Sequence, residues 1–225
     1  MTNSHIRVLP PESPAPRMAS LPLENARHWI SPYEGDGNRA PVSVFFTRNA
    51  CDQAMAHASS NLEVEVGGVL LGKWCMDSET NRQYIVVTAA LPARFTQQGS
   101  VFLTFTQDSL VDIHVKIDEV YPEDTIVGWY HTHPRMGVFL SPYDTWLHDH
   151  FFPEPWQVAL VIEPQAEVGG FFVRQADGGL DPSHYFGFYE VLENTGESLV
   201  HWSNLQLAPA ETENKGVSSM GTAGI

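Results

Sequence analysis

The stretch from Val127 to Asp144, VGWYHTHPRMGVFLSPYD, decides the fold and site predictions for this chain. His131 and His133 are separated by one residue, so an extended chain directs both imidazoles to the same side. Pro134 follows at once and ends the strand, because proline has no backbone N–H to donate to a neighbouring strand. The sequence therefore predicts two imidazoles converging at the end of a strand.

A helix is predicted to begin shortly after this strand. Ser141 is a good N-cap residue, Pro142 suits the first helical position, and Asp144 falls in the first turn. A carboxylate at that position can turn back toward the histidine pair. Two histidines and one aspartate make three protein ligands and leave a fourth position for water, which is the composition of a catalytic zinc site rather than a closed structural one.

Each part of this pattern also has a simpler interpretation. A bare His-x-His pair is more often two ordinary strand histidines, an aspartate in a first helical turn commonly stabilises the helix dipole, and Ser141 can be an N-cap alone. The complete string, H-T-H-P, six residues, then S-P-Y-D, is more specific. It resembles the JAMM (MPN-plus) metalloprotease signature, H-[ST]-H-P followed by S-x-x-D. The resemblance implies a zinc site made by His131, His133 and Asp144, with the Ser141 hydroxyl donating to the oxyanion.

A second segment extends the resemblance to a catalytic base. Glu65 begins E-V-G-G-V-L-L-G, which is similar to the JAMM segment E-x-x-G-x-L-x-G that carries the catalytic glutamate. The resemblance implies that Glu65 takes the proton of the attacking water and delivers it to the leaving amine. Glu63 lies two residues earlier and is the alternative. Taken in isolation, a glutamate near a strand start is nearly always a solvated side chain.

Two further features near the motif bear on the site. Residues 136–140 are mostly apolar, and either cover the metal and hold an extended substrate tail or pack into the core. His148 and His150 follow Asp144 on the same predicted helix, but no cysteine follows Cys75 in the sequence. The thiolate of the second zinc site found in some JAMM deubiquitinases is therefore missing, which favours surface or packing roles for both histidines.

The remaining pattern predicts an α/β fold. Strands are predicted over 42–46, 69–71, 84–91, 125–132, 156–164, 169–175 and 184–191, and helices over 48–60, 106–120 and 141–151. Thr47 is the expected N-cap of the first helix. This order favours a mixed sheet sandwiched by helices, which is also the order in the cytidine-deaminase-like JAMM/MPN domain. The predicted domains are a disordered Pro-rich leader (1–40), a catalytic domain (41–204) and a disordered tail (205–225).

Composition limits the environment and the partners. The chain has 12 Lys and Arg against 27 Asp and Glu, a formal net charge of −15. Such a surface repels the phosphates of nucleic acids and attracts basic partners. Two cysteines do not form a disulfide framework, and we expect no secretory signal and no membrane span. These features predict a cytoplasmic protein that binds neither nucleic acid nor membrane.

The resemblance implies a function as well as a fold. Its leading implication is a zinc isopeptidase or protease that hydrolyses the amide bond after the C-terminal tail of a ubiquitin-like protein. E1- and E2-like conjugation enzymes are the implied further partners. Two alternatives remain: removal of an amino acid or peptide from a sulfur-carrier protein, and a non-catalytic MPN scaffold module, although such modules have lost ligands that are all present here.

Overall fold

The structure is a computed structural model that describes residues 15–35, 38–93, 107–192 and 196–209. The strands in these ranges are β1 Arg17–Ala19, β2 Ala26–Ile30, β3 Val42–Thr47, β4 Gly67–Asp77, β5 Gln83–Pro92, β6 Thr125–Thr132, β7 Val158–Glu163, β8 Val168–Val173, β9 Phe188–Val191 and β10 Gln206–Leu207. The helices are α1 Arg48–Ala58, α2 Gln107–Val120 and α3 Pro142–Phe151.

All the strands belong to one mixed sheet, in the order β10-β2-β9-β3-β5-β4-β6-β7-β8, with β1 paired to the far end of β4. Strand β3 is parallel to β5 and β9, and β6 is parallel to β7, whereas β4 is antiparallel to β5 and β6. A backbone bridge between Phe171 and Phe186 joins β8 to the segment before β9, so the sheet curls back on itself. The predicted α/β fold with a mixed sheet and packed helices is confirmed.

Helix α1 shows how local sequence places a helix against this sheet. The Thr47 hydroxyl accepts a hydrogen bond from the Ala50 N–H at 3.4 Å, so Thr47 is the N-cap as predicted. The buried face carries the small side chains of Ala50, Ala54 and Ala58, which let the helix approach β3 and β5 closely. The same hydrophobic core takes in Leu147 of α3, so the helix that follows the metal motif packs on this core as well.

Two glycines hold β4 tightly between its neighbours. A Cβ atom on Gly67 would collide with the carbonyl oxygen of Tyr130 in β6, and one on Gly68 would collide with that of Leu91 in β5. Only glycine permits such close backbone contact. The residues just before β4 are thereby held beside the end of β6, where the predicted ligands lie.

The predicted disorder of the leader is wrong over β1 and β2, and that of the tail is wrong over β10. Strand β1 pairs with the end of β4, and β2 lies between β9 and β10. The indole N–H of Trp29 also donates to the buried Glu190 carboxylate at 2.9 Å. These strands are short and mostly unburied, so they lack the apolar alternation by which a strand is recognised in sequence. The ordered unit therefore extends beyond the predicted limits of 41 and 204, while residues 1–14 and 210–225 lie outside the described part.

None of the helices in the described ranges combines the length and the apolar character that are needed to cross a bilayer.

Candidate metal centre

Strand β6 delivers both histidines to one point. It lies between β4 and β7, and His131 is opposite Gly67 on one side and Val161 on the other. The His133 N–H continues the parallel pairing just past the strand end by donating to the Ile162 carbonyl at 2.9 Å. Both histidines are buried, and their Nε2 atoms lie 2.9 Å apart. The predicted convergence of the two imidazoles is therefore observed.

A tight loop turns the chain away from the site directly after His133. The Met136 N–H donates to the His133 carbonyl at 3.3 Å, with Pro134 and Arg135 at the two central positions. Arg135 has φ +60°, as the third residue of a type II turn requires, and Gly137 has φ +83°. The loop also fixes one imidazole, because Nδ1 of His133 lies 3.2 Å from the Gly137 carbonyl oxygen. A carbonyl only accepts, so this contact places the proton on Nδ1 and leaves a lone pair on Nε2.

Helix α3 supplies the third group through its N-terminal cap. The Ser141 hydroxyl accepts from the Asp144 N–H at 3.1 Å, and the Ser141 N–H donates to Asp144 Oδ2 at 2.7 Å, which forms a reciprocal capping box. This cap fixes the buried carboxylate of Asp144. Its Oδ2 atom lies 3.6 Å from Nε2 of His131 and 3.7 Å from Nε2 of His133.

The electrostatics keep this group in the state that a metal ion requires. Burial lowers the pKa of His131, and the charge of His133 lowers it further, against the opposing effect of Asp144. Burial alone would raise the pKa of Asp144, but its interactions with the two histidines and with Ser141 outweigh that effect and hold the pKa well below its usual range. Near neutral pH the site therefore presents a neutral imidazole at His131 and an ionised carboxylate at Asp144.

These donors fit a divalent transition-metal ion. One ligand atom from each of His131, His133 and Asp144 lies within 4.8 Å of the others, and all three residues are buried. Two imidazole nitrogens and one carboxylate oxygen are the ligand types of a catalytic zinc site. In the described part of the chain, Nδ1 of His131 has no hydrogen-bond partner, so this ring is held by packing instead.

Glu65 lies beside the three donors, whereas Glu63 does not. One carboxylate oxygen of Glu65 is 4.0 Å from Nε2 of His133, and its side chain is only 11% exposed. The next residue anchors it: Val66 exchanges hydrogen bonds with Thr132, donating to Oγ1 at 2.9 Å and accepting from the backbone N–H at 2.8 Å. Glu63 is 73% exposed and pairs with Arg135 at 3.2 Å. The geometry therefore matches the choice of Glu65 over Glu63.

The apolar loop over residues 136–140 is partly exposed. Met136 is 42% exposed and Phe139 is 36% exposed, whereas Leu140 is buried in the core. The Phe139 ring contacts the His133 imidazole, with ring centroids 4.7 Å apart. Leu140 thus packs into the core, as one interpretation of the loop expected, and Phe139 lies against His133 at the edge of the group.

The sequence did not identify the supporting role of Trp129. Its indole stacks on the His131 ring, with centroids 4.6 Å apart and planes 7° from parallel. Its N–H donates at 3.0 Å to Nδ1 of His148, which is fully buried in α3. His148 therefore has the packing role that was favoured over ligation, and His150 is exposed. In the sequence, only the two-residue spacing of Trp129 and His131 indicated that the two rings lie on the same face of the strand.

Glu163 is a second supporting residue that the sequence did not single out. It ends β7, is 8% exposed, and accepts a hydrogen bond from the Gly137 N–H at 2.6 Å. Its position depends on the parallel pairing of β6 and β7, which joins residues far apart in the sequence.

The mixed α/β fold and the buried His–His–Asp group together indicate an MPN-type domain. Comparison with known proteins agrees: residues 40–152 match the family described as JAB1/Mov34/MPN/PAD-1 ubiquitin protease. The chain belongs to that family.

Several curated proteins are similar to this chain. It is 33% identical to the NAD(+) hydrolase TcpA of a Theionarchaea archaeon, over 56% of this chain and 36% of that protein. It is 31% identical to COP9 signalosome complex subunit 5 of Dictyostelium discoideum, over 51% and 36% respectively. It is 25% identical to the ubiquitin carboxyl-terminal hydrolase RPN11 of Saccharomyces cerevisiae, over 73% and 53%. The chain thus spans between about a third and a half of the length of these relatives.

Proposed function

We propose that this chain is a zinc-dependent isopeptidase or protease that hydrolyses the amide bond after the C-terminal tail of a ubiquitin-like protein. One observation carries the proposal: a shielded glutamate carboxylate lies 4.0 Å from a nitrogen of the converging His–His–Asp group. A solvated surface glutamate has no reason to be held there. Membership of the family supports the same conclusion.

His131, His133 and Asp144 would hold the zinc ion through the three atoms that converge. Zinc bound there would supply a Lewis acid that acidifies water and polarises a carbonyl group. The Gly137 carbonyl keeps the His133 proton on Nδ1, so Nε2 is free to bind. The capping box holds the Asp144 oxygen toward the histidines.

Glu65 is the general base and then the general acid. Its carboxylate accepts the proton of the attacking water and afterwards delivers it to the nitrogen of the leaving amine. Val66 and the two glycines after it hold the Glu65 backbone rigidly against β6, so the carboxylate keeps its distance from the site.

Ser141 has two tasks in this proposal. Its hydroxyl accepts from the Asp144 N–H as a cap, and the hydroxyl also carries one hydrogen that it can donate. That hydrogen donates to the oxyanion that forms as the carbonyl carbon becomes tetrahedral.

The side chains beside the proposed metal site support this substrate class. Phe139 packs against His133 and Met136 extends the apolar surface, so the approach suits a thin, extended tail of small residues such as Gly-Gly. The net charge of −15 favours a ubiquitin-like protein with a basic surface. RPN11, one of the relatives, is itself named a ubiquitin carboxyl-terminal hydrolase.

The direct test uses ubiquitin carrying a fluorogenic amide at its C-terminal glycine. We expect the purified, zinc-loaded chain to release the fluorophore and a metal chelator to stop the release. A zinc-loaded chain that releases no fluorophore even at high enzyme concentration would contradict hydrolysis of this bond and favour a scaffold module.

A further inference from the structure

Glu163 forms the outer end of a hydrogen-bonded chain that reaches the proposed metal site. Its carboxylate Oε2 accepts from the Gly137 N–H at 2.6 Å, and the Gly137 carbonyl in turn lies 3.2 Å from Nδ1 of His133. The opposite nitrogen of that imidazole faces His131 and Asp144. Glu163 and His133 are therefore connected through a single glycine residue.

The hydrogen bond between the Gly137 N–H and Glu163 is short and shielded from solvent, unlike one made by a surface carboxylate. Glu163 is 8% exposed, and a hydrogen bond from an N–H to a carboxylate is shorter and stronger than one to a neutral acceptor. The backbone of the same region is fixed independently, because the His133 N–H donates to the carbonyl of Ile162, the residue before Glu163. The register of β6 against β7 thus fixes the positions of both His133 and the Glu163 carboxylate.

We propose that Glu163 is a positioning residue for the metal site, acting on His133 through Gly137. It holds the loop so that the Gly137 carbonyl meets Nδ1, and its negative charge, one residue away from Nδ1, favours a proton on that nitrogen. Both effects keep the proton on Nδ1 and make Nε2 a better donor to a metal ion. In many metal-bound histidines a carboxylate contacts the imidazole directly for this purpose. Here Gly137 lies between the carboxylate of Glu163 and the imidazole of His133.

The loop geometry explains why the contact between the Gly137 carbonyl and His133 depends on an acceptor for the Gly137 N–H. Gly137 has φ +83° and follows Arg135 at φ +60°, so the segment adopts backbone conformations that few side chains favour. Without an acceptor for the Gly137 N–H, this part of the loop can shift, and the Gly137 carbonyl then leaves Nδ1. The two ligand histidines are then stabilised differently: His133 by this hydrogen-bonded chain, and His131 by its stacking on Trp129.

Two substitutions separate the effect of side-chain length at Glu163 from the effect of its charge. Glu163→Asp keeps the charge but shortens the side chain, so it loses the Gly137 N–H. Glu163→Gln keeps the length and an accepting oxygen but loses the charge. Glu167→Gln is the matched control, because Glu167 is exposed in the turn between β7 and β8. Zinc dissociation constants are measured by competition with a chromophoric chelator, and the His133 tautomer of the zinc-free chain by nitrogen-15 NMR.

We expect Glu163→Asp to weaken zinc binding by about 10- to 100-fold and to give a mixed His133 tautomer. We expect Glu163→Gln to weaken zinc binding measurably, by about two- to tenfold, while the Nδ1–H tautomer is retained, and Glu167→Gln to match the parent chain. Wild-type zinc affinity and tautomer in Glu163→Asp would overturn the proposal. If that variant does not fold, unchanged zinc affinity in Glu163→Gln overturns it.

This inference rests on the proposed zinc site, but the two fail in different ways. A parent chain that binds no zinc contradicts the proposed function. A parent chain that binds zinc, with Glu163 variants that bind it equally well, contradicts only the role of Glu163.

Discussion

Glu65 and His133 lie on opposite sides of one narrow gap, with a carboxylate oxygen 4.0 Å from an imidazole Nε2. The two residues come from separate segments, just before β4 and just after β6, and the antiparallel pairing of these strands brings them together. This distance suits a base that acts on a small molecule such as water held beside the group. The proposed chemistry depends on this relationship.

Exchanging the two glutamates near β4 for glutamine tests this assignment. Glu65→Gln is nearly isosteric but cannot accept a proton, so we expect turnover to fall by about 10²- to 10⁴-fold with zinc content unchanged. Glu63→Gln is the matched control, because Glu63 is 73% exposed and pairs with Arg135 at the surface. Steady-state hydrolysis of the fluorogenic ubiquitin amide measures both. If Glu63→Gln were the inactive variant, the assignment of the base would be wrong.

Removing a proposed ligand should remove the metal without unfolding the chain. We expect His133→Ala and Asp144→Ala to reduce zinc content from about one equivalent per chain to a small fraction, because two remaining ligands bind zinc weakly. Far-ultraviolet circular dichroism should show that the sheet survives, since its core lies mainly in other residues.

The exposed His150 provides the control for ligand removal. His150→Ala should retain the zinc content of the parent chain, as measured by atomic emission on dialysed protein. Zinc content that is insensitive to both ligand substitutions would place the metal elsewhere.

The strand–loop–helix segment could be predicted because its signals are local. Alternation places His131 and His133 on one side, and the cap residues Ser141 and Pro142 start the helix that carries Asp144. The strand that follows Glu65 was predicted only as its apolar centre, Val69–Leu71, while β4 runs from Gly67 to Asp77 because both of its edges are paired.

The supporting contacts were not predictable in the same way. Trp129 reaches His148, and Glu163 reaches Gly137, across distances in the chain that only the tertiary fold closes. Nothing in the types or spacing of these residues specifies the pairing. Strands β1 and β2 were not predicted for a different reason: backbone pairing holds them, and none of their side chains is fully buried, those of β1 being exposed and those of β2 half-buried.

His148 predicts a pH dependence of stability in the zinc-free chain. Burial, and secondarily the charge of Arg174, lowers its pKa from 6.5 to about 3. Between these values the unfolded chain binds a proton that the folded chain does not. The stability is therefore complete above pH 6.5 and is lost as the pH falls toward 3, with a slope of up to about 1.4 kcal/mol per pH unit from this group.

His148→Asn isolates that contribution, since its side-chain oxygen can still accept from the Trp129 indole and does not titrate. Urea unfolding between pH 7 and about pH 4, chosen within the window set by the histidine pKa, should show a shallower loss of stability than in the parent chain. His201→Gln, at an exposed histidine, should leave the slope unchanged. Identical slopes for the parent chain and His148→Asn would mean that His148 is protonated in the folded state.

The proposed role of residues 136–140 in holding the substrate tail predicts which tail the site accepts. Replacing the penultimate glycine of a ubiquitin tail with leucine should abolish cleavage, because the added side chain meets the wall formed by Phe139. Phe139→Ala should restore part of the cleavage of the leucine substrate, whereas Met136→Ala, farther out on the loop, should restore less. Equal cleavage of glycine and leucine substrates by the parent chain would reject a narrow groove.

Zinc titration of the metal-free chain tests the proposed zinc-dependent hydrolysis most directly. The metal is removed with a chelator, zinc is returned in small steps, and hydrolysis of the fluorogenic ubiquitin amide is measured at each step. The proposed function predicts no hydrolysis without metal and a rise that saturates at about one equivalent, as three protein ligands and one open position imply. Hydrolysis that persists in the zinc-free chain, or that never appears as the site fills, would contradict it.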